Sequence, residues 1–223
     1  MRFALRVVAW ITAGLALPVS LGSVGGRAGA IVGSATAIVV TLWLWLWLPR
    51  SAHLAFEAGR FARASRRYRL LGLCATTPAR ERSALLSRTG CCVALGQLAM
   101  ADALLATLEP TVLDPSERAV WLNNRACAAL ADDRDPSGAL ALIDEASALR
   151  PDVPALQHTR GMALLAVGRV DDAIAVLDGM RAAGELPPRL EADRCRDLSR
   201  AWDRKGEAAY AEDYRLRAAS VAR

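Results

Sequence analysis

Few residues in this chain could carry chemistry, and their spacing argues against it. The histidines are His53 and His158, and neither stands at metal-ligand spacing from Cys74, Cys91, Cys92, Cys127 or Cys195. No two cysteines form a C-x-x-C pair. Their odd number and irregular spacing argue against a disulfide framework. They read as small buried thiols in a reducing compartment. Asp132, Asp133 and Asp135 cluster at a predicted inter-helix turn. A calcium loop would also need a glycine and a distant glutamate, and neither is in place, so the cluster reads as a solvated turn. No Walker loop, G-x-S-x-G, H-E-x-x-H or dinucleotide fingerprint occurs. No catalytic residue, metal or cofactor is expected, and the chain does not read as an enzyme.

Charge is distributed in three zones. Residues 1–49 hold no acid and only Arg2, Arg6 and Arg27. Residues 50–82 hold eight arginines against Glu57 and Glu81, and residues 83–223 carry a net charge of −4. The pI near 9.3 therefore reflects a local basic zone, not a basic surface over the whole domain. No aromatic-interleaved basic face is present, so no nucleic-acid partner is expected. A basic zone beside an apolar one suits an anionic membrane face.

Ala28 to Leu48 is a run without charge, long enough as a helix to cross the bilayer core of about 30 Å. Trp43, Trp45 and Trp47 mark its end, before Pro49 and Arg50. Alternate spacing spreads the indoles around a helix, as an interfacial belt requires. Residues 7–24 form a weaker apolar stretch containing Gly14, Pro18 and Gly22. Two readings stay open for it. It is either the first arm of a transmembrane hairpin turning at Gly25–Arg27, or a cleaved signal peptide. Either way the second run emerges on one side, and the arginine excess after it places the bulk of the chain in the cytoplasm. Gly25, Gly29, Gly33 and Ala37 recur every fourth residue. They make a smooth strip for close packing, against the first helix or a second copy. The expected partition is an anchor at 1–49, a basic juxtamembrane half-repeat at 50–81 and a repeat array at 82–223.

Beyond residue 50, Ala, Leu and Arg dominate and no alternating strand pattern appears, so helices are expected. Residues 120–153 align with residues 154–187. Ala139 falls on Ala173, Leu140 on Ile174, Ile143 on Leu177, and Leu130 on Leu164. With Gly161, Gly168 and Pro151, these residues make the chain resemble the tetratricopeptide repeat family. The run Gly168, Arg169, Val170, Asp171, Asp172, Ala173 looks like that family's inter-helix turn. Ala126, Ala146 and Pro151 match in the preceding unit, where Arg134 replaces the turn glycine. Gly96, Ala101 and Leu105 suggest a flanking unit, as do Ser199, Trp202, Gly206 and Ala211. Gly59, Phe61, Ala64 and Tyr68 suggest a further turn and second helix. The fold class this implies is all-α: a transmembrane helix or helical hairpin, then a tetratricopeptide-type α-solenoid of about four helix pairs.

The resemblance also implies a concave groove lined by the first helix of each unit. By position it would include Leu86, Gly90, Trp121, Asn124, Ala128, His158, Met162, Leu165, Arg196 and Arg200. Trp121, Asn124, His158, Met162, Leu165, Arg196 and Arg200 form the candidate site for a protein or peptide. Trp43, Trp45, Trp47 and Arg50 form the candidate membrane interface. Leu86 and Gly90 stand where some relatives use polar groups to grip a terminal carboxylate, so that activity is not expected. The function that follows is a membrane-tethered scaffold or adaptor. The alternative is a subunit of a transporter or channel complex. The absence of any ionisable residue between Arg27 and Arg50 weakens it.

Overall fold

The apolar N-terminal sequence forms helix α1, Arg2–Leu42, which has one break. Gly26 has φ 57 and ψ −141, a left-handed conformation that glycine adopts without steric cost. The consequence is close contact across the break. A Cβ on Gly29 would run into the Leu21 carbonyl, and one on Gly22 would lie 3.3 Å from the Ala30 Cβ. On a straight helix, residues eight apart are about 12 Å apart, so the chain doubles back here. The small residues Gly22, Gly29 and Ala30 permit the approach. Gly25 faces open space. This is a computed structural model, and it describes residues 2–131 and 135–221. Asp132, Asp133 and Arg134, including the substituted turn position, lie outside the described residues.

Pro49 does not end the apolar helix. Trp43–Trp47 forms a π-helical turn, in which the Leu48 N–H donates to the Trp43 carbonyl, and helix α2, Leu48–Glu57, follows directly. The physical reason lies in the proline. In a regular helix its ring would press on the Trp45 carbonyl, four residues back. Widening the preceding turn by one residue relieves that clash without stopping the helix. The widened turn also stacks Trp43 on Trp47, with centroids 5.5 Å apart. The helix runs on beyond the charge-free run to Glu57 and supplies the first helix of a further pair, with α3, Phe61–Leu73.

The chain divides into two compact units, Met1–Phe56 with Arg60–Cys91, and Glu57–Gly59 with Cys92–Arg223. In the first, Leu44, Leu48, Ala52 and Ala55 are buried at helical spacing. Ala55, Ala64 and Cys91 form a small core with Phe56, Phe61 and Tyr68. Cys91 lies on α4, Pro78–Ala94.

The second unit is built on one turn used repeatedly. Gly96, Gly168 and Gly206 have φ of 69, 81 and 79. In each case the N–H of the next residue reaches back five residues: Gln97 to Cys92, Arg169 to Leu164, Glu207 to Trp202. This satisfies carbonyls that the helix end would leave unpaired. Four residues further on, Ala101, Ala173 and Ala211 donate to the carbonyls of Gln97, Arg169 and Glu207, and all three alanines are fully buried. Gly59, with φ 68, followed by Arg60 and Ala64, repeats the arrangement. At the fifth site of the kind, Asp135 holds the place of Gln97, Arg169 and Glu207. Its carboxylate caps the helix by accepting from the Gly138 N–H at 2.8 Å, and Ala139 again donates to its carbonyl. An N-cap thus replaces a C-terminal glycine as the local signal.

Helices α5 (Leu98–Leu105), α6 (Pro115–Ala131), α7 (Pro136–Leu149), α8 (Pro154–Ala166), α9 (Val170–Gly179), α10 (Pro188–Arg204) and α11 (Ala208–Val221) make up this unit. Each packs on its successor from α5 to α11. In addition α6 packs on α8, and α8 on α10. The first helices of the pairs α6/α7, α8/α9 and α10/α11 therefore form one layer. Among the described residues the fold is all-α and built from paired helices, as the sequence implied.

Candidate partner-binding face

The layer of first helices is braced by side chains that cross it. His158 Nε2 on α8 lies 2.9 Å from Asp197 Oδ2 on α10, and both side chains are largely buried. The second Asp197 oxygen accepts from Arg200 at 2.8 Å. Between α6 and α8, Cys127 Sγ lies 3.6 Å from the Thr159 hydroxyl. Further along α10, Arg204 donates to the Leu165 carbonyl of α8.

These contacts sort the expected site residues. Arg196 and Arg200 are exposed, but each has a carboxylate one turn away: Asp193 for Arg196 and Asp197 for Arg200. Arg200 and His158 share Asp197. Trp121 is half-buried, with its Nε1 donating to the Leu105 carbonyl at 3.4 Å and Arg125 lying over its ring at 4.7 Å. Met162 is half-buried. Asn124 and Leu165 are buried, so they support the face from beneath. Ala128 and Leu86 are also buried, and Gly90 is half-buried.

Neither cysteine near this face is primed for attack. Burial pushes the Cys127 thiol up, and the Thr159 hydrogen bond offsets this in part. Burial, then the Glu191 carboxylate, pushes Cys195 up. A reactive cysteine needs the opposite shift, toward thiolate. Among the described residues no three His, Cys, Asp or Glu side chains converge as a metal site.

A second network behind this face escaped the sequence reading. Arg194 on α10 is 1% exposed. It makes a paired hydrogen bond to Glu191, with Nε to Oε2 at 2.7 Å and Nη2 to Oε1 at 2.8 Å. Its Nη1 donates to the Leu177 carbonyl of α9 at 3.2 Å and lies 3.6 Å from Asp178. Asp178 in turn accepts from the Tyr214 hydroxyl of α11 at 2.8 Å. The Arg194 hydrogen bonds hold the Glu191 carboxyl below the usual range. Burial, then the Asp178 bond, pushes the Tyr214 phenol up to about 12. The local signal for the Arg194–Glu191 pair was its one-turn spacing. Nothing local marked it as buried.

The candidate interfacial residues lie in the other unit. Trp43, Trp45 and Trp47 are 40%, 45% and 49% exposed, and Arg50 is exposed. One helical stretch, Pro18–Glu57, is long and apolar enough to cross a membrane among the described residues. Its most apolar window has a mean hydropathy of 2.0 and is only 17% buried. Val24, Ile31, Val32, Ile38 and Val39 are each more than half exposed.

No family model matches the chain, and no curated protein matches it. A solved chain, "MamA MSR-1 C2", is similar at 15% identity and a TM-score of 0.46, covering 79% of this chain and 95% of that one. At that score the likeness carries no argument. The helix-pair reading stands on the chain's own turns.

Proposed function

We propose that the chain is a membrane-tethered scaffold that holds a protein or peptide partner against the layer of α6, α8 and α10. One observation carries this reading: a stretch of exposed apolar helix precedes a braced layer of helices. Exposing that much apolar surface to water is costly at roughly 25 cal/mol per Å². A core helix would hide it within the protein, whereas here the window is only 17% buried. A bilayer covers such a surface, and the doubling back at Gly26 suits a hairpin anchor. The arginine excess after Leu48 favours the inner membrane with the repeat domain in the cytoplasm.

In the partner site, Trp121 and Met162 offer apolar contact, and Arg196 and Arg200 offer hydrogen-bond donors at one end. Their carboxylate neighbours reduce the net charge, so geometry matters there more than bulk attraction. The test is crosslinking of the detergent-solubilised full chain in its native membranes, with Trp121→Ala/Met162→Glu as comparison. A stoichiometric protein partner lost in the double variant supports the scaffold. Solute flux through proteoliposomes containing only this chain would favour the transporter reading instead.

A further inference from the structure

The first unit contains a cluster that a simple tether does not need. Arg67 on α3 lies 5.3 Å from the centre of the Trp47 ring, and donates to the Ser51 carbonyl at 2.6 Å. Arg80, at the start of α4, lies 3.8 Å from the centre of the Trp45 ring. Helix α3 runs back along α2: Phe61 meets Phe56, Ala64 packs with Ala55, and Arg67 reaches Ser51 and Trp47. The next turn of α3 therefore lies about 5 Å further toward the apolar helix, level with Trp45. That turn ends in Leu73, which is 60% exposed. The chain then turns a corner and delivers Arg80 onto Trp45.

The charges there differ from those of most arginines in the other unit. Among the described residues Arg50, Arg67 and Arg80 form no ion pair. In the other unit Arg118, Arg160 and Arg194 each meet a carboxylate. Arg67 and Arg80 set positive charge against indoles, beside an exposed leucine and an apolar helix. Arg67 gives one N–H to the Ser51 carbonyl, and a guanidinium over a ring leaves its other N–H groups to bind a phosphate.

We propose that the α3–α4 corner is a second membrane contact, in which Leu73 enters the interface and Arg67 and Arg80, stacked on Trp47 and Trp45, hold the headgroup phosphate of an anionic phospholipid. This rests on the tether proposed above and fixes which lipid surrounds it. It also assigns Trp45 and Trp47 a role in binding lipid as well as marking depth.

The test reconstitutes the full chain in phosphatidylcholine vesicles, with and without a minority of phosphatidylglycerol. Flotation with the neutral vesicles reads the tether. Quenching of tryptophan fluorescence by brominated phosphatidylglycerol, against brominated phosphatidylcholine in the same mixture, reads the headgroup preference. The wild-type chain should float with both vesicles and be quenched more strongly by the anionic lipid. Arg67→Gln/Arg80→Gln should still float but lose preference by about five-fold per arginine. Arg67→Lys/Arg80→Lys, which keeps the charge, should retain part of it. A chain that floats but shows no preference, or a glutamine variant that keeps it, overturns the seat and leaves the tether standing. A chain that does not float with neutral vesicles overturns both.

Discussion

His158 on α8 and Asp197 on α10 meet at 2.9 Å across the layer of first helices. Removing the carboxylate strands the imidazole and frees Arg200. Asp197→Ala should therefore lower stability by about 1–3 kcal/mol. Asp193→Ala, which removes the partner of the exposed Arg196, should change it by less than about 0.5 kcal/mol. Thermal melting of the detergent-solubilised full chain compares the two. Equal midpoints would mean that the bridge does not brace the layer.

Arg194 predicts a larger effect and an acid limb. Arg194→Ala leaves Glu191 with only Arg181, 3.9 Å away, and the Cys195 thiol, at a cost of about 3–5 kcal/mol. The Glu191 carboxyl is held low in the folded chain. Its contribution is thus complete above the ordinary carboxylate range and is lost as pH falls through the lowered folded value. Denaturant midpoints measured from neutral pH downward should fall more steeply in the wild type than in Glu191→Gln. Parallel curves would show that this pair is not what acid breaks.

Tyr214 predicts the alkaline limb. Its phenol is raised to about 12 from a usual value of 10.0. Raising favours the protonated form in the folded chain, so the contribution is complete below pH 10 and disappears as pH rises through about 12. Ionisation there also sets a phenolate against Asp178. Tyr214→Phe should be less stable at pH 8 and show a shallower decline between pH 10 and 12, followed by circular dichroism.

The α8/α9 pair predicts which glycines are needed. A Cβ on Gly161 would lie 2.5 Å from Leu177 Cδ2 and 2.6 Å from its Cγ, and Leu177 is itself fully buried. Gly161→Ala should cost about 1–3 kcal/mol by overpacking, as should Ala173→Leu at the same crossing. Gly179 lies in helix α9 with nothing within 4 Å of its Cβ position, so Gly179→Ala should be neutral or slightly stabilising. If Gly161→Ala melts with Gly179→Ala, the crossing is looser than these distances imply.

Topology gives a test in cells. A reporter fused after Arg223 should be active if it works only in the cytoplasm, given the arginine excess after Leu48. Strong activity of a reporter that works only outside the cytoplasm would reverse the assignment and expose the five cysteines to oxidation.

The helix pairs were legible in the chain because their signals are local. A glycine that accepts positive φ and an alanine five residues later sit within one turn of backbone. Gly59/Ala64, Gly96/Ala101, Gly168/Ala173 and Gly206/Ala211 therefore announce the turns by residue type alone. The continuity of α2 with the apolar helix has no such local signal. Pro49 normally argues for a helix end, and only the i to i+5 bond from Trp43 to Leu48 lets the helix pass it.

By itself, the sequence determined the all-α class, the turn positions and the apolar N-terminal stretch, since each depends on intrinsic backbone preference or on hydropathy over a short window. Tertiary structure decided which side chains of the candidate site remain accessible. Asn124 and Leu165 are buried and His158 is bound to Asp197 because successive first helices pack side by side, and that packing joins residues dozens of positions apart. It also decided that Arg194 is a buried tie and not a surface charge. The same holds for the stacking of Arg67 and Arg80 on the indoles, since only the return of α3 along α2 brings them to the tryptophans.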